Sequence, residues 1–306
     1  MNSLLKPSMR LLRALIATVL LIAGVVQAQG QSPIPTVRTL TRTDAVSTQR
    51  TTNMTMMRLA SGALVSTDIG QILQRGELVV AMLATDTPPF FYSDGEKFSG
   101  TDVRMAEQIA AELKVPLRID RSAKSFNEVV EIVARGDADL GASKLSRTLA
   151  RAQSVRFSDP YLSLNHALII NRLEFAKISR DIPLPTVIRN LTGSIGVIAK
   201  SSFAEFAVRN FPKAKIVQYP SWNEVLEAVK RGDIVCAYRD EFEIRRILEN
   251  DPSLALTLRT ITLKDLNDSL GIAIGTHSPN LLAFVNQFLA QRREKLTIDS
   301  VLAELK

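Results

Sequence analysis

Ser125 to Leu140 reads SFNEVVEIVARGDADL, and 96 residues later Ser221 to Cys236 reads SWNEVLEAVKRGDIVC. Nine of the sixteen positions are identical, and Phe126 is answered by Trp222. Each copy opens with a capping box: Ser125 and Ser221 can accept from first-turn N–H groups, while Glu128 and Glu224 reach back from three residues on. Val129, Val130 and Val133, matched by Val225, Leu226 and Val229, form an apolar stripe at helical spacing. Gly136 and Gly232 suit the left-handed position that closes a helix. A short apolar strand is expected after each, over Ala138 to Ala142 and Ile234 to Tyr238. One helix–glycine–strand unit used twice, too far apart for a solenoid, predicts two similar lobes. The Arg-Gly-Asp triplets are explained by the helix ends and need no adhesion role.

Working outward, strands and helices alternate. Glu77 to Ala84 is apolar enough for a strand buried on both faces. Thr87-Pro88-Pro89-Phe90 is a stiff extended loop, and Gly100 to Leu113 carries helical spacing through Val103, Ala106, Ile109 and Ala110. Val115 to Ile119 is the next strand. After the second copy come a late apolar strand, Leu270 to Ile274, and a helix, Pro279 to Leu289. This alternation predicts an α/β fold with parallel strands, two lobes joined by two crossing strands near residues 165 and 270. The expected division is lobe 1 over 68–164, lobe 2 over 165–268, and a return to lobe 1 over 269–306. Ser143 to Tyr161 breaks the rhythm, and its Ser, Thr and Arg directly after a buried strand suit a ligand loop.

The 306-residue chain is 46% hydrophobic and 23% charged, the make-up of a globular protein. Residues 1–28 are laid out as a secretory signal, with three basic residues ahead of the uncharged run Ala14 to Val26 and a small-residue cleavage site at Ala28. That run is too short to cross a bilayer. Removing Lys6, Arg10 and Arg13 lowers the formal charge from +7 to +4, too small and scattered to call for nucleic acid. Residues 29–67 lack periodicity and read as a disordered leader or tether. Cys236 is the single cysteine, and the two histidines, His166 and His277, stand in no metal or catalytic motif, so no cofactor is expected.

Four motifs together carry a family resemblance: Pro88-Pro89-Phe90 after the first strand, Gly100-x-Asp102-Val103, Gly136-Asp137-Ala138-Asp139, and Arg151 six residues before Phe157-Ser158-Asp159-Pro160-Tyr161. The chain from about Ile69 to Lys306 resembles the periplasmic amino-acid-type solute-binding proteins (family 3, type II two-lobed fold), the capture components of ABC importers. The resemblance implies that Arg151 grips a ligand carboxylate, a task suited to a planar fork of donors, with Ser146 assisting. It implies that Asp240 takes an α-ammonium, although the bare sequence equally lets Asp240 cap the helix that follows. Ser201 and Ser202, at a helix start, would also hold the carboxylate, Phe126 would wall the pocket, and Asp86 is a further ligand-binding candidate. It further implies closure of the lobes over an amino acid or related small carboxylate, and a membrane permease as partner. Lys144 and Lys200 stand where the family has small residues; both are expected to point outward, and an acidic ligand follows if they face the cleft instead. Trp222 is left to packing and His166 to the hinge or core. An accessory or sensory binding role for a periplasmic partner is the alternative, and a dehydratase-like enzyme on this scaffold a further one.

Overall fold

The computed structural model describes residues 56–303, apart from 96 and 294. The expected signal segment and most of the expected leader lie outside the described residues. Residues 56–66, expected as part of that leader, instead form an antiparallel ribbon in which Met56–Arg58 pairs with Leu64–Ser66. The ribbon is anchored through Met57, whose Sδ lies so close to Gly70 that an added Cβ there would meet it at 2.9 Å. Three-residue strands hold too few alternations to register as a pattern.

Two five-stranded sheets organise everything else. In the first, Leu78–Leu83 lies between Leu117–Ala123 and Leu140–Gly141, parallel to both, and the order continues through Ala273–Gly275 and Val155–Phe157 with antiparallel pairing. Every residue of Leu78–Leu83 is buried, as its unbroken apolar run requires. In the second sheet the order is Lys215–Tyr219, Ser194–Ile198, Cys236–Asp240, Leu162–Asn171, Leu258–Leu270. The first three strands are parallel, and the last two are antiparallel and cross between the lobes. Their pairing register shifts between Leu263 and Asn267. The architecture is thus α/β in two lobes joined by two crossing strands.

The repeated unit folds alike in both lobes. Helices Phe126–Arg135 and Trp222–Arg231 are each capped by a serine accepting from the N–H three residues on, at 3.2 and 3.3 Å. Gly136 and Gly232 close them with φ of 82° and 79°. The back-reach differs: Glu128 accepts from the Lys124 N–H, whereas Glu224 accepts from the Ser221 hydroxyl. The strands that follow begin two residues later than expected, at Leu140 and Cys236.

The first core also draws on distant parts of the chain. Helix Pro279–Gln291 adds Leu281 and Val285, and Phe242, from the second lobe's helix Glu241–Asn250, is fully buried there with its ring edge-on to Phe90 at 5.3 Å. An aromatic side chain of one lobe thus sits in the core of the other, directly behind the cleft.

Candidate functional site

The loop after Leu140–Gly141 begins the site. Asp102, in the first turn of helix Thr101–Leu113, accepts the Lys144 N–H at 2.6 Å and holds that residue at φ 51°. Gly100 lets the helix start this close, since a Cβ there would lie 2.4 Å from the Phe90 carbonyl oxygen. In this backbone setting the Lys144 side chain turns inward, 4% exposed, against the expectation that it faces solvent. Its Nζ donates to Asp240 Oδ2 at 2.8 Å and Glu243 Oε1 at 3.0 Å, and lies 4.9 Å from the centre of the Phe90 ring and 5.2 Å from that of Phe242. The physical reason is that Glu243 joins Asp240 in receiving the ammonium: a lysine can be buried when carboxylates meet it. Lys200, by contrast, is exposed.

Asp240 does two jobs. It caps helix Glu241–Asn250, with Oδ1 accepting from the Glu243 N–H at 3.2 Å, and it pairs with Lys144 through Oδ2. Arg239 stands 3.8 Å from Asp240 and 3.7 Å from Glu243, and Arg246 3.9 Å from Glu243. Burial alone would raise the Glu243 carboxyl, but Arg239, Lys144 and Arg246 together bring it well below the usual range.

Arg151 is buried in a different setting. Its Nε and Nη2 donate to Asn127 Oδ1 at 3.1 and 3.0 Å, and Nη1 to the Ser146 carbonyl at 3.1 Å. No carboxylate among the described residues lies within ion-pairing distance of it. Burial lowers the guanidinium to about 10, with Glu205 and Asp268 opposing that from farther away. A desolvated cation satisfied only by neutral oxygens is a ready place for an anion.

Between these groups runs a chain of short bonds across the lobes. The Ser146 hydroxyl donates to Asp268 Oδ2 at 2.8 Å and lies 2.7 Å from the Ser202 hydroxyl. Asp268 Oδ1 is buried without a hydrogen-bond partner among the described residues. Burial pushes the Asp268 carboxyl up to about 7, with nearby Asp240 adding to the effect. Ser201 caps helix Ser202–Asn210 by accepting from the Ala204 N–H, and donates to the Ile198 carbonyl at 2.6 Å.

Six of the seven sequence-selected residues, Phe126, Ser146, Arg151, Ser201, Ser202 and Asp240, line one cavity between the lobes. Asp86 is not among them: it pairs with Arg121 at 2.8 Å, accepts from the Ser93 N–H, and lines an outer chamber of about 220 Å³. Sequence reasoning missed Asp268, Glu243, Arg239 and Asn127, and it left Trp222 to packing, whereas Trp222 lines the outer chamber beneath Arg239. Asn127 did carry a signal, for it recurs as Asn223 in the repeated unit. The inner cavity encloses about 30 Å³, room for about two waters. Ligand pockets run to roughly 300–1,000 Å³, so the cavity as it stands is too small for a metabolite. His166 is outside the cavity lining, buried among Phe203, Phe206 and Tyr238, where burial lowers it to about 4. Among the described residues no cluster of His, Cys, Asp or Glu could hold a metal ion, and no helix is long and apolar enough to cross a membrane.

Two α/β lobes on crossing strands, closed over a polar cavity, define a two-lobed solute-binding architecture. The chain belongs to the bacterial extracellular solute-binding proteins, family 3, which match residues 78–304. An amino-acid ABC transporter substrate-binding protein from Streptococcus pneumoniae, bound to L-arginine, is 25% identical with a TM-score of 0.62, over 77% of this chain and 96% of that one. A putative ABC transporter binding component from Wolinella succinogenes, complexed with lysine, is 21% identical with a TM-score of 0.61, over 74% and 94%. Among curated relatives, membrane-bound lytic murein transglycosylase F of Idiomarina loihiensis is 28% identical over 198 residues, 61% of this chain and 41% of that protein. The Shewanella halifaxensis counterpart is 30% identical over 129 residues, 42% and 25%. The chain spans less than half the length of these curated relatives.

Proposed function

We propose that this chain is a periplasmic binding protein that captures a small carboxylate, an amino acid or a relative of one, by closing its lobes, and delivers it to the permease of an ABC-type importer. The observation that carries the reading is Arg151, a residue 5% exposed that lines the cleft cavity and, among the described residues, is hydrogen-bonded only to neutral acceptors. In this reading Arg151 holds the ligand carboxylate, the Ser202 hydroxyl completes the grip with Ser146 and Ser201 lining the same wall, and Phe126 covers it. Hinge closure follows from contacts that the ligand makes to both lobes at once. The signal-like layout of the sequence over residues 1–28 and the family membership support the periplasmic setting.

Binding rather than catalysis is assigned. The transglycosylase relatives match over less than half of their length, so their activity is not transferred. A second reading, an accessory or sensory domain, is favoured by one observation: the lobes already hold each other through Lys144, Phe242 and the 2.7 Å bond from Arg246 Nη1 to the Pro88 carbonyl. Thermal-shift screening of the purified chain against amino acids, hydroxy acids and dicarboxylates tests the proposal. A ligand at 100 times its Kd adds about 2.7 kcal/mol of stability. A flat response across all three classes removes the binding role.

A further inference from the structure

The Lys144 ammonium lies where Asp240 would otherwise receive an ammonium from a ligand. Asp240 Oδ2 is taken by Lys144 Nζ at 2.8 Å and Oδ1 by the Glu243 N–H at 3.2 Å, with the Asp240 side chain only 3% exposed. A ligand ammonium would have to displace a buried lysine whose other partner, Glu243, is itself shared with Arg239 and Arg246. The charges around the cleft point the same way. Lys144, Arg239 and Arg246 share two carboxylates, Asp240 and Glu243, while Arg151 has no carboxylate partner among the described residues. The remaining acid on the cavity wall is Asp268. It takes the Ser146 hydroxyl on one oxygen and leaves the other without a partner among the described residues. With its carboxyl pushed up to about 7, it carries at most part of a charge at neutral pH and can present a hydroxyl instead. Such a cavity holds a surplus of positive charge before any ligand enters, and buried charge must be matched.

We infer that the ligand is a small carboxylate without an α-ammonium group, an oxo, hydroxy or dicarboxylic acid, with Lys144 standing in for that ammonium at Asp240. This rests on the Arg151 grip proposed above and adds the chemical class of the ligand. Lys144 is then the residue that turns the site away from amino acids, by an unfavourable like-charge contact and by removing their acceptor.

Calorimetry on the full chain with acids paired to differ mainly at the ammonium position tests it: succinate against L-aspartate, lactate against L-alanine, and 2-oxoglutarate against L-glutamate. The acid without the ammonium should bind at least about tenfold tighter in each pair that binds at all, since an ammonium buried beside Lys144 without an acceptor of its own is unfavourable. Lys144→Met should narrow or reverse that order; this comparison is made only if the variant melts cooperatively, and the ranking by the unmodified chain stands as a test without it. Amino acids ranking first in the unmodified chain, with Arg151→Ala abolishing their binding, would overturn the inference and leave the carboxylate grip intact. No binding by any of the six acids would overturn both.

Discussion

Replacing Asp268 with asparagine keeps the shape and the acceptor for Ser146 but removes a titrating group. In the folded chain burial holds the Asp268 carboxyl at about 7, against an ordinary 3.8. Three pH units at about 1.4 kcal/mol each amount to on the order of 4 kcal/mol, and at 3% exposure solvent screening takes little from it. The sign follows from proton counts. Between about pH 4 and 7 the unfolded chain has released this proton while the folded chain keeps it, so wild-type stability falls as pH rises through that window. Below about 4 both states are protonated, and above about 7 both are ionised. Asp102, raised to about 6 by burial, acts in the same direction, and the lowered Glu243 in the opposite one, but both are present in wild type and variant alike. Denaturant unfolding at fixed salt from pH 4 to 8 should show Asp268→Asn gaining on wild type by on the order of 4 kcal/mol across that range. Parallel stability curves would refute the reasoning. In the proposed site the same group would act on the ligand through hydroxyls. With Asp268 ionised, Ser146 donates to it and the Ser202 hydroxyl has Ser146 as its acceptor; with Asp268 protonated, the run can reverse and turn the Ser202 hydrogen toward the cavity. Carboxylate binding should therefore weaken above about pH 7 in wild type and lose that dependence in Asp268→Asn.

Arg151→Ala should weaken carboxylate binding by about 2–5 kcal/mol, while Arg156→Ala, on an exposed strand position, should change it little; equal small effects by calorimetry would remove Arg151 from the site. Phe242→Ala should cost about 3–5 kcal/mol in denaturant unfolding, because its ring fills the first lobe's core against Phe90. A cost below ~1 kcal/mol would show that the interlobe contact is not held. Ser125→Ala and Ser221→Ala should each cost about 1 kcal/mol and add in the double variant, since the two caps serve separate lobes. Strong non-additivity would tie the two helices together.

Local signals were legible without coordinates. The repeated unit announced its helices through serine caps, a 3.6-residue apolar stripe and closing glycines, all properties of neighbouring residues in the chain. The unbroken apolar run at Leu78–Leu83 fixed a strand buried on both faces, and the motif around Arg151 picked out a residue that lines the cavity. These hold because helix caps, periodicity and continuous burial depend on contacts within about one turn or one strand. Direction and charge pairing were decided elsewhere. Lys144 turns inward because Asp102, 42 positions earlier, takes its N–H, and because Asp240 and Glu243, 96 and 99 positions later, receive its ammonium. Asp268 reaches Ser146 across 122 positions, and Phe242 enters a core built mostly by the other lobe. A charged side chain has no preferred depth of its own; its burial is set by the partners the fold delivers, and those partners lie farther along the chain than any sequence pattern extends.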